Sequence, residues 1–176
     1  MVWLDATTVR ADGIVHLSPS GNASGWGGRQ WVYSTAADRA GATAIVRAAI
    51  EGAGCGRVAI HGFSNGAAFL AALYCAGESF GGRLSLAIID DPVTDHAVEG
   101  CTPAPGVAVA LYWTGALAGQ APAGWNCAIA DWTCAGGTSM GIDGYAAALH
   151  ASVPSSPMGA HTPYLDPPEL QAFVAG

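Results

Sequence analysis

Strand-length apolar segments alternate with helical segments along this chain of 176 residues, and that alternation limits the fold more than any other feature. The strand-length segments consist largely of apolar residues, which is typical of strands buried on both faces of a parallel sheet. We therefore expect one α/β domain over residues 1–176, a three-layer α/β/α sandwich around a mostly parallel sheet of about five strands, without a lid. The expected strands are residues 13–18, 29–34, 57–62, 84–90 and 107–113.

The helices are predicted from their apolar spacing and their end signals. A helix over residues 36–51 has Thr35 as its expected N-cap, with Asp38 three residues later. Further helices are expected over residues 67–77 and 142–151. In the last helix, Asp166 is the expected N-cap and Pro167 the first helical residue.

The charge balance excludes one class of partner. Net charge is −7, and all six basic residues are Arg. No basic patch or stripe is visible along the chain, and such a patch is what nucleic acids and anionic membranes require. We expect neither partner, and we expect a monomer.

One long neutral stretch, residues 100–130, raises the question of a membrane span. It contains Pro103, Pro105 and Pro122, and its continuous apolar part, residues 107–113, is far shorter than the roughly 20 residues that a spanning helix needs. A buried strand followed by a loop is the better interpretation. The first ten residues have no signal-peptide core, so we expect a cytosolic protein or a mature form with an added Met.

Five Cys in a short chain favour disulfides, and hence a secreted or extracytoplasmic protein, with a cytoplasmic location as the alternative. Their spacing lacks the C-x2-C pairs of zinc sites, so no metal is expected. The odd count leaves at least one thiol unpaired.

Two G-x-S-x-G matches occur, around Ser64 and around Ser79. A nucleophile elbow requires a strand before the serine and a helix after it, because the tight turn lifts the hydroxyl above the sheet. The segment 57–62 leads into Ser64 and the helical segment 67–77 leads out, whereas Ser79 follows a helix in a Gly-rich loop. We therefore predict Ser64 as the nucleophile and Ser79 as a chance match.

An elbow of this kind also predicts an oxyanion hole. The backbone N–H of Asn65 would lie at a helix N-terminus and point at the developing negative charge. A second donor is expected from the loop after strand 13–18. Ser18, Ser20 or Asn22 could supply it, and we favour Ser20.

Serine needs a base and the base needs an orienting acid, in the chain order Ser, acid, His for this topology. Among the histidines after Ser64, His161 lies in a loop directly before the last helix, where the base is expected. His96 is interpreted as a solvated loop residue and His150 as a helix surface or packing residue. Candidate acids are Asp90 and Asp91 at the end of strand 84–90, and Asp131 further along.

The segment Cys127–Cys134, "CAIADWTC", resembles the acid loop of the cutinase family, in which a small disulfide loop carries the catalytic Asp. Gly62-Phe63-Ser64-Asn65-Gly66 is similar to that family's elbow, and "GAHTPYL" is similar to its histidine segment. The resemblance implies Ser64 as nucleophile, Asp131 as orienting acid and His161 as base. Asp91 and Asp90, at the end of strand 84–90, are the alternative acids. It also implies a Cys127–Cys134 disulfide.

Cys75 and Cys101 are the favoured second pair, although either could pair with Cys55.

The function expected from these residues is a cofactor-free serine carboxylic-ester hydrolase. By resemblance, its substrate would be an acyl ester, a lipid or a polyester. The alternatives are a dienelactone-hydrolase-like or acyl-transferring enzyme of the same superfamily, the α/β-hydrolases, and a hydrolase-fold binding protein without activity.

Overall fold

The fold is taken from a computed structural model, which describes residues 8–9, 14–25, 28–116, 139–152 and 155–176. Its described elements, in chain order, are β1 (Thr8–Val9), β2 (Val15–His16), β3 (Ala23–Gly25), β4 (Gly28–Gln30), α1 (Ala36–Gly52), β5 (Val58–Phe63), α2 (Asn65–Cys75), β6 (Leu84–Asp90), a 3-10 turn (His96–Val98), β7 (Ala108–Tyr112), α3 (Ile142–Leu149) and α4 (Pro168–Ala175). The chain is thus a mixed α/β structure.

A parallel sheet of the order β5-β6-β7 forms the centre of the described structure. Its register places Phe63 opposite Asp90, and Asp90 opposite Tyr112. The carboxyl ends of all three strands therefore lie at one edge, which is where open α/β sheets bind their ligands.

Alternate residues of β6 pack into two different apolar clusters. Ala87 and Ile89 belong to a large cluster with side chains of α1, α2 and α3. Leu86 and Ile88 belong to a smaller cluster, against which Leu170 and others from the chain's C-terminal part pack. A strand covered on both faces has to be apolar throughout, and this explains the uninterrupted hydrophobic run of residues 86–89.

Helix α2 is buried along nearly its whole length, from Gly66 to Cys75. Its small residues, among them Ala67, Ala68 and Ala71, let it pack closely on β5 and β6. Helix α2, which begins directly after Ser64, is therefore enclosed by the core along most of its length.

Several sequence predictions of local structure are confirmed. Thr35 is the N-cap of α1, and its side chain accepts a hydrogen bond from the backbone N–H of Asp38. Helix α3 (Ile142–Leu149) lies within the segment predicted to be helical, residues 142–151. The prediction for the last helix was wrong by one residue, since α4 begins at Pro168 with Pro167 as its N-cap, and Asp166 lies outside it.

The strands expected over residues 13–18 and 29–34 differ from the prediction in length and in pairing. Strand β2 pairs antiparallel with β1, and β3 pairs antiparallel with β4 as a hairpin. Neither pair joins the parallel sheet, which has three strands in the described part of the chain against the five or so expected. Strands β1 and β2 are two residues long, and β3 and β4 are three residues long with Gly25 and Gly28 next to their turn. Strands this short bury too little apolar surface to occupy a central position in a sheet.

A disulfide joins Cys75, the last residue of α2, to Cys101, as predicted. Cys55 is the free cysteine among the described residues, and Cys127 and Cys134 lie outside them. None of the helices described is both long and apolar enough to cross a membrane.

Candidate active site

Ser64 lies at the sharp turn between β5 and α2, with a backbone φ of 55° and ψ of −119°. This conformation is unfavourable for a residue with a side chain, and such strain is concentrated at functional sites. Gly62 makes the turn possible, because a Cβ atom there would lie 2.4 Å from the carbonyl oxygen of Gly66. The G-x-S-x-G pattern therefore has the steric cause that an elbow requires.

Hydrogen bonds at the end of the parallel sheet place Ser64 and Asp91 side by side. The backbone N–H of Ser64 donates to the carbonyl of Asp90 at 3.1 Å, and that of Asp91 donates to the carbonyl of Tyr112 at 3.0 Å. Each residue directly follows its strand. Asp91 also has a positive φ, 46°, so the chain turns sharply there as well.

His161 connects these two residues. Its Nε2 lies 3.0 Å from the Ser64 Oγ, and its Nδ1 lies 2.6 Å from Asp91 Oδ2. The carboxylate can only accept, so Nδ1 carries the proton and Nε2 is left to accept from the serine hydroxyl. The imidazole also packs on the ring of Phe63, with centroids 4.6 Å apart.

Asp91 is fully buried but well bonded. Besides His161, it accepts hydrogen bonds from the Thr114 backbone N–H at 2.9 Å and the Thr114 hydroxyl at 2.6 Å. Burial acts to raise the pKa of Asp91, but the hydrogen bonds from His161 and Thr114 outweigh it, so that the pKa lies below its ordinary value. The carboxyl therefore stays charged and can hold the imidazole in one tautomer.

Asn65 begins α2, so its backbone N–H has no acceptor within the helix. This is the geometry expected of an oxyanion donor. The side chain of Asn65 instead holds the backbone of Trp31, because Oδ1 accepts from the Trp31 N–H at 2.7 Å and Nδ2 donates to the Trp31 carbonyl at 3.1 Å. Asn22 clamps the backbone of Val32 in the same way.

The predicted second donor, Ser20, lies in the segment between β2 and β3 and is partly buried. Its role in an oxyanion hole stays a prediction.

The position at Nδ1 of His161 belongs to Asp91, which the sequence offered as an alternative acid. Asp131, which the cutinase resemblance implies, lies outside the described residues, as does the disulfide implied around it. The side chain of the neighbouring Asp90 makes no hydrogen bond to the imidazole of His161. Its Oδ2 accepts from the Tyr164 backbone N–H at 2.6 Å and lies 3.1 Å from His61 Nε2.

The remaining candidates lie apart from this hydrogen-bonded chain. His96 is the first residue of the 3-10 turn and contacts Glu99, which directly follows the turn. His150 is an exposed residue at the C-terminus of α3. Ser79 lies in the loop after α2, where its hydroxyl accepts from the backbone N–H of Gly82. No group of His, Cys, Asp and Glu within the described residues is arranged to hold a metal ion.

Sequence reasoning missed Thr114 and the side-chain role of Asn65. Thr114 follows β7 by two residues, at the same sheet edge as Ser64 and Asp91, and a polar residue there was the available signal. Nothing local in the sequence marks the Asn65–Trp31 contact, since it joins residues 34 positions apart.

No protein-family model matches this chain, and comparison with curated proteins and with solved structures finds no significant match. The geometry of the site is therefore what bears on function.

Proposed function

We propose that this protein is a serine carboxylic-ester hydrolase of the α/β-hydrolase type that works through an acyl-enzyme on Ser64. The observation that carries the proposal is the hydrogen-bonded chain Ser64–His161–Asp91, which starts at a strained turn between a parallel strand and a buried helix. Ser64 is partly exposed, so a substrate carbonyl can reach its hydroxyl.

In the first half of the reaction, Ser64 Oγ attacks the ester carbonyl while His161 Nε2 takes the hydroxyl proton. The carbonyl oxygen gains the negative charge and faces the Asn65 N–H and the N-terminus of α2. When the tetrahedral intermediate collapses, the bond to the alcohol oxygen breaks and His161 returns the proton to the departing alcohol. An ester bond then joins the acyl group to Ser64.

In the second half, water replaces the alcohol. His161 takes a proton from the water as it attacks the acyl carbon, and then protonates Ser64 Oγ as the acid product leaves. Asp91 keeps its charge throughout and stabilises the imidazolium that forms in each half. All of these steps use groups of the chain itself, and the proposal includes no cofactor.

The cutinase-like subclass is a narrower proposal that this site favours less. The resemblance implies Asp131 as acid, and Asp91 occupies the corresponding position on His161. Ester hydrolysis needs one carboxylate at Nδ1 of the histidine, and either Asp91 or Asp131 could provide it. The broader proposal therefore does not depend on the resemblance to the cutinase family. The Cys75–Cys101 disulfide favours an oxidising, extracytoplasmic location for the protein.

Hydrolysis of p-nitrophenyl butyrate by the wild type, S64A and S79A tests the proposal. We expect the wild type to hydrolyse the ester, S64A to lose at least about a thousandfold in kcat/KM, and S79A, the matched variant of the second motif, to keep the wild-type rate. Equal rates for the wild type and S64A would contradict the proposal and leave the inactive binding protein. Product analysis with added alcohol separates hydrolysis from acyl transfer.

A further inference from the structure

Asp90 is a fully buried carboxylate that contacts neither Ser64 nor the imidazole of His161 through its side chain. One oxygen, Oδ2, accepts from the Tyr164 backbone N–H and faces His61 Nε2. The other oxygen, Oδ1, is buried without a hydrogen-bond partner among the described residues. A buried carboxylate with an unsatisfied oxygen disfavours folding, and an apolar side chain of the same size would serve the core better.

The hydrogen bond between Asp90 and the backbone of Tyr164 explains why a carboxylate occupies this buried position. Tyr164 is three residues after His161, so the hydrogen bond to its N–H ties down the segment that carries the imidazole. The Tyr164 ring also packs edge-on against Tyr112, which lies opposite Asp90 in the β6–β7 register. The segment is thereby attached to the sheet edge at its backbone and through an aromatic ring.

Two adjacent carboxylates thus hold one segment at two points. Asp91 accepts a hydrogen bond from the ring of His161, and Asp90 accepts one from the backbone N–H of Tyr164. The carbonyl of Asp90 meanwhile accepts from the N–H of Ser64. A single residue therefore contacts the backbone of the serine through its main chain and the backbone of the histidine segment through its side chain.

We propose that Asp90 is a positioning residue that sets His161 against Ser64 through its hydrogen bond to the Tyr164 N–H, and that His61 orients the Asp90 carboxylate for this bond. This inference rests on the proposed function for its catalytic meaning, but the positioning itself is a property of the fold. The part of Asp90 that matters is its acceptor oxygen, and its negative charge is secondary.

Two variants separate these properties. D90L replaces the carboxylate with an apolar side chain of similar size and removes the acceptor, while it avoids a cavity in the core. D90N keeps an oxygen that can accept from the Tyr164 N–H but removes the charge. Unfolding curves are recorded for both, so that only folded protein is compared.

Kinetics give the first measurement. We expect D90L to lower kcat by about tenfold to a hundredfold with KM within about twofold of the wild type, because a misplaced base slows the chemical step more than binding. D90N should keep kcat within about threefold. Wild-type kcat in folded D90L, or equal losses in D90L and D90N, would overturn the proposal.

The second measurement does not need activity. The proton between His161 Nδ1 and Asp91 should give a low-field proton NMR resonance, assigned by its loss in H161A. We expect this resonance to shift or broaden in D90L and to keep its wild-type position in D90N. An unchanged resonance in D90L would overturn the proposal.

If the wild type shows no ester hydrolysis, the proposed function fails, and this spectrum decides the positioning role by itself. Should D90L not fold, H61F provides the substitute, since it leaves Asp90 without its imidazole partner. A shift of the same resonance in H61F would support the proposal, and an unchanged one would overturn it.

Discussion

The backbone N–H of Ser64 donates to the carbonyl of Asp90 at 3.1 Å, one residue before the carboxylate that holds His161. This bond continues the β5–β6 ladder by one step beyond Phe63 and Asp90. The proposed nucleophile and its acid are therefore placed by the register of two parallel strands. The sheet therefore fixes the positions of Ser64 and Asp91, and the loop that carries His161 places the imidazole between them.

Replacing the acid should abolish most of the activity. In D91N, the amide can donate to Nδ1 and so favours the tautomer in which Nε2 carries the proton and cannot accept from Ser64. We expect kcat to fall by about 10³–10⁴-fold, measured with p-nitrophenyl butyrate. D143N, in the exposed first turn of α3, is the control and should keep the wild-type rate. Activity retained in D91N but lost in D131N would instead support the cutinase-like arrangement.

The Asn65 side chain should contribute to stability and to rate. N65A would leave both backbone groups of Trp31, a buried residue, without their hydrogen bonds. We expect the free energy of unfolding to fall by about 1–3 kcal/mol in urea titrations, and kcat to fall as well, because the contact anchors the residue next to Ser64.

N22A is the matched variant, since Asn22 clamps Val32 by the same pair of bonds. It should lose similar stability and less activity. A larger loss of kcat in N22A than in N65A would contradict this account of the two clamps.

Asp91 should make stability depend on pH in the acid range. Its folded-state pKa lies below the ordinary value of about 3.9 because hydrogen bonds from His161 and Thr114 outweigh its burial. A lowered carboxyl pKa stabilises the fold fully above the unfolded-state value, and this stabilisation is lost as pH falls through the folded-state value. The difference in unfolding free energy between wild type and D91N should shrink between about pH 5 and pH 2. A difference independent of pH would show that the carboxylate is not held in this way.

The Cys75–Cys101 disulfide should stabilise the end of α2. It spans 26 residues of sequence, and the loop-entropy estimate for that length is about 3.5 kcal/mol. C75A/C101A should lose about 2–4 kcal/mol of unfolding free energy in urea titrations under non-reducing conditions. C55A is the control and should change little. A double variant as stable as C55A would contradict this stabilising role of the disulfide.

The elements that could be predicted from sequence are those with local causes. Helix α1 follows from the Thr35 cap and its apolar spacing, and the three strands of the parallel sheet follow from their apolar runs. The sharp turn at Ser64 could be predicted because it requires glycine at position 62, and the sequence has glycine there. His161 was selected by its place before the last helix, and the structure brings it to Ser64.

The choice among the acids could not be made locally. Asp90 and Asp91 are adjacent at the end of one strand, and which of them faces the imidazole depends on the turn at Asp91 and on the register with β7. Both are set by hydrogen bonds to distant residues. The sequence motif around Asp131 favoured a residue that lies outside the described part of the chain. The contact between Asp91 and His161 is revealed only by the register of the sheet.

Covalent labelling tests the central claim most directly. A fluorophosphonate reacts with a serine only where a neighbouring base activates its hydroxyl, and the site can be mapped by mass spectrometry of peptides. We predict one label per chain, located on Ser64, absent in S64A, and formed at least about a hundredfold more slowly in H161A. Failure of the wild type to react, or a label on Ser79 in place of Ser64, would contradict the account.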